Sequence, residues 1–469
     1  MSRRRKPIPI LEKVEIIDAG SEGKALARVD NMVVFVPFVV PGDIVDLQVT
    51  RRKKNFYEAK AIKFHHYSDK RVEPKCEHFG LCGGCKWQIM PYGDQLKYKQ
   101  KQVVDNFERI GKLDTSGIDP ILPSANEYFY RNKLEFTISN RRWLTEKEMA
   151  DGWPEDTNGL GFHLPGMFDK IIDINNCYLQ AEPSNSIRSS VREFARENNF
   201  TFYDTKAHVG LLRNLVVRTA ITGEVMIIVV FAEDQDDNIR LLLEHLKTSF
   251  PEITSLMWAV NKKLNDTIFD QAVHLYSGNP FIIEEMEGLK FKVGPKSFYQ
   301  TNSEQAYNLY KIAREFAGLK GHETVYDLYC GTGTITNFIA RSVKKVVGVE
   351  IVPEAIDDAK HNSELNGIKN TSFFAGDLAK LLNEEFISSN GAPDIVITDP
   401  PRAGMHPKVI DQLLNALPEK IVYVSCNPAT QARDIDMMRE KYELTKIQPV
   451  DMFPQTHHVE NVCLLVKRP

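Results

Sequence analysis

At 469 residues, with 42% apolar and 26% charged residues, the chain is long enough for two or three domains and has an ordinary globular composition. No run of about eighteen apolar residues occurs, which excludes a typical membrane-spanning helix, and the amino terminus lacks the apolar core of a signal peptide. The net charge of −4 gives by itself no reason to expect a nucleic-acid partner. We therefore expect a cytoplasmic protein with no membrane association.

The first 70 residues depart from this average, because they carry fourteen Lys and Arg against nine Asp and Glu. Most of the excess lies in two clusters, Arg3-Arg4-Arg5-Lys6 and Arg51-Arg52-Lys53-Lys54. Such clusters either contact phosphate groups or form a solvated tail and loop.

Residues 8–66 are predicted to form five short strands separated by turn residues. The predicted strands are Val14–Ile17, Lys24–Val29, Met32–Val36, Ile44–Val49 and Phe56–Phe64. Five strands of this length favour a small OB-like β-barrel, a fold that often binds single-stranded or looped nucleic acid. The order of the segments 22–28 and 34–43 resembles a TRAM domain, which implies an RNA-binding barrel over residues 1–70. A barrel used only as a packing module is the alternative.

The seven cysteines divide into two groups. An odd number in a chain without a signal peptide argues against a disulfide framework. Three of them, Cys76, Cys82 and Cys85, fall within ten residues around a Gly-Gly turn, and Cys177 is the only further cysteine nearby in sequence. Four thiolates can hold zinc or an iron–sulfur cluster, and the three-plus-one grouping favours a 4Fe–4S cluster over the paired knuckles of structural zinc sites. Unligated core cysteines are the alternative.

Residues 71–285 are predicted to form a central α+β domain with an antiparallel sheet. A helix is predicted over residues 93–111, and strands run from about residue 130 to residue 285 with helices near 184–198 and 236–249. Aromatic and cationic side chains mix along these strands, as an RNA-facing surface or a solvated sheet face would show. These side chains are Tyr130, Arg131, Lys133, Arg213 and Arg218.

Residues 286–469 alternate between strand and helix, which predicts a doubly wound Rossmann-like α/β domain that ends in an antiparallel hairpin. The predicted strands are Thr324–Leu328, Lys345–Val349, 371–375, Asp394–Thr398, 421–425, Tyr442–Val450 and Val462–Lys467. The whole chain is thus predicted to be multidomain, with a barrel, an α+β domain and an α/β domain in that order.

A nucleotide-type site is predicted at the start of this last domain. A glycine-rich turn, Tyr329-Cys-Gly-Thr-Gly333, follows the first strand, and Glu350 closes the second, where it can accept hydrogen bonds from ribose hydroxyls. The turn lacks the third glycine of the dinucleotide pattern, and Asp399-Pro-Pro follows the fourth strand. Together these features indicate S-adenosylmethionine rather than NAD.

Three segments carry a family resemblance: Asp399-Pro-Pro-Arg-Ala-Gly404, Ser425-Cys-Asn-Pro-Ala-Thr430 and Phe453-Pro-Gln-Thr-His-His-Val-Glu460. They resemble the RNA 5-methyluridine (uracil-C5) methyltransferases, and the resemblance covers nearly the whole chain. The barrel and the four cysteines resemble the iron–sulfur branch of that family, which implies 23S ribosomal RNA as substrate and partner. No obligate protein partner is inferred.

The resemblance implies a role for each residue in these segments. Uracil C5 is a weak nucleophile until a thiolate adds to C6, and Cys426 matches the family nucleophile. We expect its site to lower the pKa of the Cys426 thiol. Glu460 matches the base that removes the C5 proton, and Asp399 matches a residue at the uracil edge or the methionine amine.

Cofactor contacts follow from the same resemblance. Gln300, Tyr329 and Glu350 match positions that contact S-adenosylmethionine, and Asp399 belongs to the same set. Thr334 and Asp377 fall at two further cofactor positions, where some members of the family carry asparagine. Cys330 and Cys463 are interpreted as packing residues.

Three other functions fit parts of the sequence. The same chemistry could act on transfer RNA, since only substrate contacts distinguish the two. A non-catalytic RNA-binding protein with a methyltransferase fold is opposed by the intact Asp399, Cys426 and Glu460. Methylation of an amine is opposed by Arg402, which stands where such enzymes carry an aromatic residue, and it would leave Cys426 without a role.

Overall fold

The computed structural model describes residues 9–469, and this part contains three sheets of six, seven and seven strands and one separate hairpin. The basic cluster Arg3-Arg4-Arg5-Lys6 lies outside the described residues. Among the helices of residues 9–469, none is both long and apolar enough to cross a bilayer.

The amino-terminal sheet is barrel-like and has six strands in the order β1-β5-β6-β4-β3-β2. The strands are β1 Ile10–Glu15, β2 Asp18–Ala19, β3 Ala25–Val29, β4 Met32–Val36, β5 Ile44–Arg52 and β6 Phe56–His66. Alternate side chains point inward and form a core that includes Ala27, Val34, Val45 and Leu47. The sequence predicted five of these strands and missed the two-residue β2, which pairs with β3.

The central sheet has the strand order β13-β12-β11-β10-β7-β8-β9. Its strands are β7 Lys133–Ser139, β8 Gly159–Leu164, β9 Met167–Asp173, β10 Leu212–Thr219, β11 Val225–Phe231, β12 Ile253–Val260 and β13 Val273–Gly278. The helices of this region are α1 Tyr92–Asn106 with a π-helical turn Phe107–Gly111, α2 Glu146–Ala150, α3 Ser184–Glu197 and α4 Asp236–Ser249. The prediction of an antiparallel sheet is wrong for one pair: β11 and β12 run parallel, because α4 crosses over between them.

The separate hairpin consists of β14 Ile282–Met286 and β15 Leu289–Val293. Its apolar residues share one core with the carboxyl-terminal domain and with one face of the central sheet. The predicted limit at residue 285 falls inside this hairpin, and the domain limits remain a prediction.

The carboxyl-terminal sheet has the strand order β18-β17-β16-β19-β20-β22-β21. Its strands are β16 Thr324–Leu328, β17 Lys345–Glu350, β18 Thr371–Ala375, β19 Ile395–Thr398, β20 Lys420–Ser425, β21 Tyr442–Val450 and β22 Glu460–Lys467. Its helices are α5 Ser303–Ala317, α6 Thr334–Ala340, α7 Pro353–Leu365, α8 Leu378–Leu381, α9 Glu384–Asn390, α10 Pro407–Ala416 and α11 Pro428–Met438. The strands β16 to β20 are parallel, and β22 runs antiparallel between β20 and β21.

Parallel strands place their carboxyl ends at one edge of the sheet, where open α/β folds bind ligands. The segments that follow β16, β17, β19 and β20 therefore meet at that edge. They begin with Tyr329, Ile351, Asp399 and Cys426. Glu460 joins them from the opposite direction as the first residue of the antiparallel β22.

A buried ion pair joins α1 to the carboxyl-terminal domain. The Lys99 ammonium donates to the Asp451 carboxylate at 2.6 Å and to the Phe453 carbonyl at 3.0 Å, and both charged side chains are fully buried. A buried charge without a partner is costly, so the two groups depend on each other. They lie 352 positions apart in the chain.

A reciprocal amide pair extends this junction. The Gln95 side chain donates to the Gln455 side-chain oxygen at 3.0 Å and accepts from the Gln455 backbone N–H at 2.9 Å. The Gln455 carbonyl accepts from the backbone N–H groups of Lys86 and Trp87, which follow the cysteine segment. The loop that leads into Glu460 is thus held by residues from the first quarter of the chain.

We predict that Lys99→Met lowers the free energy of unfolding by about 3–5 kcal/mol, because it leaves Asp451 buried without a countercharge. Denaturant unfolding followed by near-ultraviolet circular dichroism measures the change. The double variant Lys99→Met/Asp451→Leu should recover most of the loss. Lys97→Met is the matched control, since the Lys97–Asp94 pair is mostly solvent-exposed at Lys97 (76%) and should contribute at most about 1 kcal/mol. Equal losses in the Lys97 and Lys99 variants would contradict the prediction.

Candidate active site

Cys426 lies in a sharp turn between β20 and α11. Asn427 caps the helix, because its side-chain oxygen accepts from the Ala429 backbone N–H at 3.2 Å, and Pro428 occupies the first helical position. The chain therefore leaves a buried strand and enters a helix within two residues. The half-buried Cys426 is held at the edge of the sheet by this turn.

The same turn is bonded to the Asp399 loop. The Asn427 amide and the Thr430 hydroxyl both donate to the Arg402 carbonyl, at 2.9 and 3.2 Å. These bonds fix the spacing between the Asp399 segment and Cys426. Sequence reasoning missed this role of Asn427, although an Asn-Pro pair before a helix is a known capping signal.

Packing against α11 fixes the far end of the Asp399 loop. Gly404 has a positive φ of 80°, and a Cβ added there would lie 2.5 Å from the Asp434 carboxylate. Asp434 in turn accepts from the Tyr423 hydroxyl at 2.7 Å and from the Met405 N–H at 2.8 Å. Only glycine fits this position, because any side chain would meet a buried, bonded carboxylate.

Glu460 and Asp399 place two carboxyl groups beside Cys426. Glu460 is only 5% exposed, and its neighbour Asn461 pairs with Ser425 of β20. Burial first, and then the nearby Asp399 carboxylate, raise the pKa of Glu460 to about 8, against the opposing pull of the Arg402 guanidinium. Burial raises the pKa of Asp399 to about 7. At neutral pH the Glu460 carboxyl therefore holds its proton most of the time.

The expectation of a lowered thiol pKa is wrong for Cys426 in this structure. Burial raises the pKa of Cys426 to about 11, and the carboxylates of Glu460 and Asp399 add to the increase. Arg402 opposes the change through its charge and a hydrogen bond to the thiol. The sequence placed Cys426 correctly at a strand end but did not reveal that two acids lie beside it.

The glycine-rich turn has the strained backbone of a ligand-binding loop. Tyr329, Gly331 and Gly333 have positive φ values of 62°, 52° and 75°. A Cβ on Gly333 would lie 2.8 Å from Ala359, whereas the space around Gly331 is open. The turn therefore brings bare backbone to the surface of the site at Gly331.

Glu350 is held against this turn by backbone N–H groups. One carboxylate oxygen accepts from Gly331 at 3.2 Å, and the other accepts from Ile351 at 2.8 Å and Val352 at 3.1 Å. Its remaining lone pairs can accept from ribose hydroxyls. Ile351 and Val352 are exposed apolar side chains next to it.

The other predicted cofactor residues surround the same turn. Thr334 is buried at the start of α6, and its hydroxyl lies 3.4 Å from that of Thr332. Asp377 is exposed and caps α8 through the Ala379 N–H, and its neighbour Gly376 donates to the Glu350 carbonyl. Gln300 is half-buried. It lies two residues after Phe298, whose carbonyl accepts from Thr332.

Asp327 lies in β16 directly before the glycine turn, and sequence reasoning assigned it no role. It is buried at 1% exposure, and one oxygen accepts from the Thr336 hydroxyl at 2.5 Å. Its other oxygen has no hydrogen-bond partner among the described residues. Burial raises the pKa of Asp327 to about 7. An unpaired carboxylate oxygen beside the glycine turn fits the ammonium group of S-adenosylmethionine.

The four predicted metal ligands, Cys76, Cys82, Cys85 and Cys177, line one cavity of about 480 Å³. Backbone N–H groups approach the sulfur atoms: Gly84 donates to Cys82 at 3.5 Å, and Leu179 donates to Cys177. Within residues 9–469, no group of three or more His, Cys, Asp or Glu side chains is close enough to hold a single metal ion. Tetrahedral zinc would require thiolates about 3.8 Å apart.

The predicted RNA-facing surface of the central domain is wrong for three of its five residues. Tyr130, Arg213 and Arg218 are at most 8% exposed. The two guanidinium groups donate to backbone carbonyls, and the Tyr130 hydroxyl donates to the Pro454 carbonyl. Carbonyl oxygens solvate these cations inside the protein, an outcome that charge patterning along a strand does not reveal. Arg131 and Lys133 line the cysteine cavity.

Comparisons with known proteins agree with this geometry. Residues 215–468 match the model of the tRNA (uracil-5-)-methyltransferase family, and residues 12–62 match that of the TRAM domain. The chain belongs to the uracil-5 methyltransferase family. It is an S-adenosylmethionine-dependent RNA methyltransferase with an amino-terminal TRAM domain.

Two relatives align with nearly the full length of this chain. A Bacteroides thetaiotaomicron protein described as an uncharacterized RNA methyltransferase is 58% identical, covering 96% of this chain and all of its own length. A Porphyromonas gingivalis protein with the same description is 54% identical, covering 97% of this chain and 99% of its own length.

A solved structure shows the same architecture. The Pyrococcus abyssi tRNA (uracil-54, C5)-methyltransferase in complex with S-adenosyl-L-homocysteine aligns with a TM-score of 0.75 and 29% identity over 97% of this chain and all of that one. The predicted family and the predicted order of barrel, central domain and Rossmann-like domain are therefore confirmed. Membership of the iron–sulfur branch remains a prediction.

We predict that alkylation of Cys426 by iodoacetamide is slow at pH 7 and rises about tenfold per pH unit up to pH 9, since only the thiolate reacts. Peptide mass spectrometry at Cys426 measures the rate. Arg402→Met should slow the reaction at every pH by removing the cation that favours the thiolate. The buried Cys463 should stay unmodified and serves as the internal control. A rate that reaches its plateau below pH 9 would contradict the raised pKa.

Proposed function

We propose that the protein methylates C5 of a uridine in 23S ribosomal RNA through a covalent bond between Cys426 and uracil C6. The observation that carries the proposal is the meeting of Cys426, Asp399 and Glu460 at the sheet edge next to the glycine turn. The TRAM domain supports a folded RNA as substrate, and such a substrate must be unstacked before the base can reach a recessed thiol. A ribosomal substrate also implies a cytoplasmic location.

Each proposed step has a residue to perform it. The Cys426 thiol gives its proton to the ionised Asp399 carboxylate, and the resulting thiolate attacks C6 while the electrons move to form an enolate at C5 and O4. S-adenosylmethionine, when bound, supplies an electrophilic methyl group for C5. Glu460 in its ionised form then removes the C5 proton, and the electrons return to expel the Cys426 sulfur. Arg402 favours the thiolate both as attacking and as leaving group.

The raised pKa of Glu460 suits this order of events, whereas the raised pKa of Cys426 makes loss of the thiol proton the demanding first step. Cys426 must lose its proton before the attack, and Glu460 must be ionised only when the C5 proton is to be removed. The pKa of Glu460, about 8, is close to neutral pH, so this group can gain and lose its proton readily. Asp399, with a pKa of about 7, can either donate to a uracil carbonyl or accept from the N3–H group.

We further propose that Gln300, Tyr329, Thr334, Glu350, Asp377 and Asp399 contact S-adenosylmethionine, with Asp327 at the ammonium group. The open space at Gly331 supports this arrangement, because the backbone there can approach a ligand closely.

Methylation of transfer RNA by the same chemistry is the second candidate. The observation in its favour is that the Pyrococcus abyssi neighbour acts on uracil 54 of transfer RNA. The four cysteines favour the ribosomal substrate, through their resemblance to the iron–sulfur branch.

We also propose that Cys76, Cys82, Cys85 and Cys177 hold a 4Fe–4S cluster. Their shared cavity and the N–H groups directed at sulfur support this, because such hydrogen bonds are common around iron–sulfur centres. The buried Arg188 lies near Cys177, and two of its nitrogens have no partner among the described residues. Its positive charge would offset part of the negative charge of the four thiolates. Uracil methylation involves no net oxidation or reduction, so the cluster would have a structural role and join the cysteine segment to the central sheet.

We predict that 5-fluorouridine-substituted 23S ribosomal RNA and S-adenosylmethionine trap the enzyme as a covalent complex, because fluorine cannot leave C5 as a proton. Gel mobility under denaturing conditions detects the adduct. Fluorouridine-substituted transfer RNA is tested side by side, and trapping by transfer RNA alone would transfer the proposal to the second candidate.

Two variants separate the roles in this assay. Cys426→Ala should abolish the adduct, with Cys463→Ala as the matched control that keeps it. Glu460→Gln should accumulate methylated covalent RNA with ordinary uridine, since the C5 proton is not removed. An adduct that survives Cys426→Ala would refute the mechanism, and normal turnover of Glu460→Gln would remove Glu460 as the base.

We predict about four irons and four sulfides per chain in anaerobically purified protein. Cys177→Ala should lose most of this content, whereas the matched Cys330→Ala should retain it, because Cys330 packs in the glycine turn. Iron and acid-labile sulfide analysis measures both. Stoichiometric zinc in place of iron would overturn the cluster.

A further inference from the structure

The central domain carries a second cavity, of about 630 Å³, far in sequence from the catalytic segments. The tip of the β8–β9 hairpin, the loop 203–208 and the loop 261–266 enclose it. Its lining includes His163, Phe168, Tyr203, Thr205, Leu264 and Asp266. This volume lies in the range of pockets for small organic ligands.

The buried Arg213 makes one wall of this cavity rigid. Its guanidinium donates to the carbonyls of Asn261 and Lys263 at 2.6 Å and of Asn265 at 2.8 Å, and to the Asp266 carboxylate at 3.1 Å. Four bonds from one side chain that is 1% exposed hold the whole 261–266 loop in place. The wall is therefore formed before any ligand arrives, which lowers the entropy cost of binding.

Apolar side chains on these walls are left in water. Leu264 is 75% exposed and Phe168 is 71% exposed. Leu264 is not loose, because its flanking residues are bonded to Arg213. An exposed aromatic ring such as Phe168 can stack on a nucleobase, as in proteins that bind single-stranded RNA. The Leu264 side chain, on its fixed loop, can pack against the face of a base.

Two polar atoms just beneath the cavity lining lack partners. The Thr205 hydroxyl and His163 Nδ1 are buried without a hydrogen bond among the described residues. The Asp266 side chain is 45% exposed; one of its oxygens pairs with Arg213 at 3.1 Å and the other lies 3.8 Å from His163 Nε2, so each oxygen keeps a further lone pair. The neighbouring His163 imidazole and the Arg213 guanidinium hold the pKa of Asp266 below its usual range, so it accepts hydrogen bonds as a carboxylate.

We propose that this cavity binds a guanine base from an unpaired segment of the RNA substrate, stacked on Phe168 or Leu264 and hydrogen-bonded to Asp266. A carboxylate accepts two hydrogen bonds side by side, and guanine alone offers two adjacent donors, N1–H and the 2-amino group, on its Watson–Crick edge. Uracil and adenine would each place a hydrogen-bond acceptor against the negative charge of the Asp266 carboxylate. The inference rests on the chain being an RNA methyltransferase and adds a base-specific contact outside the catalytic site.

Photocrosslinking to short RNA tests the proposal. The full chain is irradiated with the oligoribonucleotide UUUXUUU, where X is 6-thioguanosine, which keeps both donors, or 4-thiouridine. Peptide mass spectrometry should locate the thioguanosine crosslinks at Phe168, Tyr203 or Leu264. Asp266→Asn should lower their yield about tenfold and leave the thiouridine yield unchanged, as expected for the loss of a paired base contact.

Matched variants and competitors complete the design. Asp270→Asn changes another aspartate of the same region and should behave as the parent. Leu264→Ser should also lower the yield, because it removes an apolar stacking surface, and it leaves Asp266 and its Arg213 bond in place. Unlabelled UUUGUUU should compete about tenfold better than the inosine oligonucleotide, which lacks the 2-amino group.

The crosslinking is repeated with the Cys426→Ala variant, which should lose methyl transfer and keep the crosslinks in this cavity. A failure of the proposed catalysis and a failure of the proposed guanine site are thereby distinguished. Crosslinks confined to the TRAM domain or the Cys426 site would overturn the proposal. An Asp266→Asn yield equal to that of Asp270→Asn would overturn it as well.

Discussion

The buried contact between Lys99 and Asp451 is the constraint on which the active site depends. A fully desolvated ammonium and carboxylate are stable only together, so α1 and the loop before β22 must keep a fixed spacing. One helical turn earlier in α1, Gln95 joins the same two segments through neutral hydrogen bonds to Gln455. Because the loop ends at Glu460, the position of the proposed base is set by residues in the amino-terminal quarter of the chain. Substitutions in α1 are therefore expected to affect chemistry as well as folding.

The electrostatics of the site reflect a compromise between reactivity and control. Two acids beside a thiol make the thiolate unfavourable, and one exposed arginine, Arg402, is the cation that opposes them. Such a site protects the free cysteine from oxidation and alkylation, since the thiolate is the reactive form. In the proposed reaction, the reactivity of Cys426 would come from the arrangement of the substrate against Cys426, Asp399 and Glu460. A resting thiol with high reactivity would modify unintended targets.

The sequence predicted the parts of this enzyme that depend on local patterns. The order of the three domains, the turn after β20 and the strand-end position of Asp399 follow from periodicity and from glycine and proline. Contacts across hundreds of residues were out of reach, as Lys99 shows, because nothing near it marks it as buried. Arg213 and Arg218 were misread for a related reason: a cation satisfied by carbonyl oxygens looks like a solvated one in sequence. The thiol pKa was misjudged because it depends on how closely separate loops approach each other.

The position of β22 has a consequence for synthesis on the ribosome. This strand fits between β20 and β21, so both must wait with an unpaired edge until it emerges. Its first residue is Glu460, which is made after Cys426 and after every proposed cofactor contact. A nascent or truncated chain that stops between Cys426 and Glu460 therefore carries the thiol without the proposed base, and its sheet exposes an open strand edge that favours aggregation. Premature termination between Cys426 and Glu460 is expected to yield insoluble protein rather than a slow enzyme.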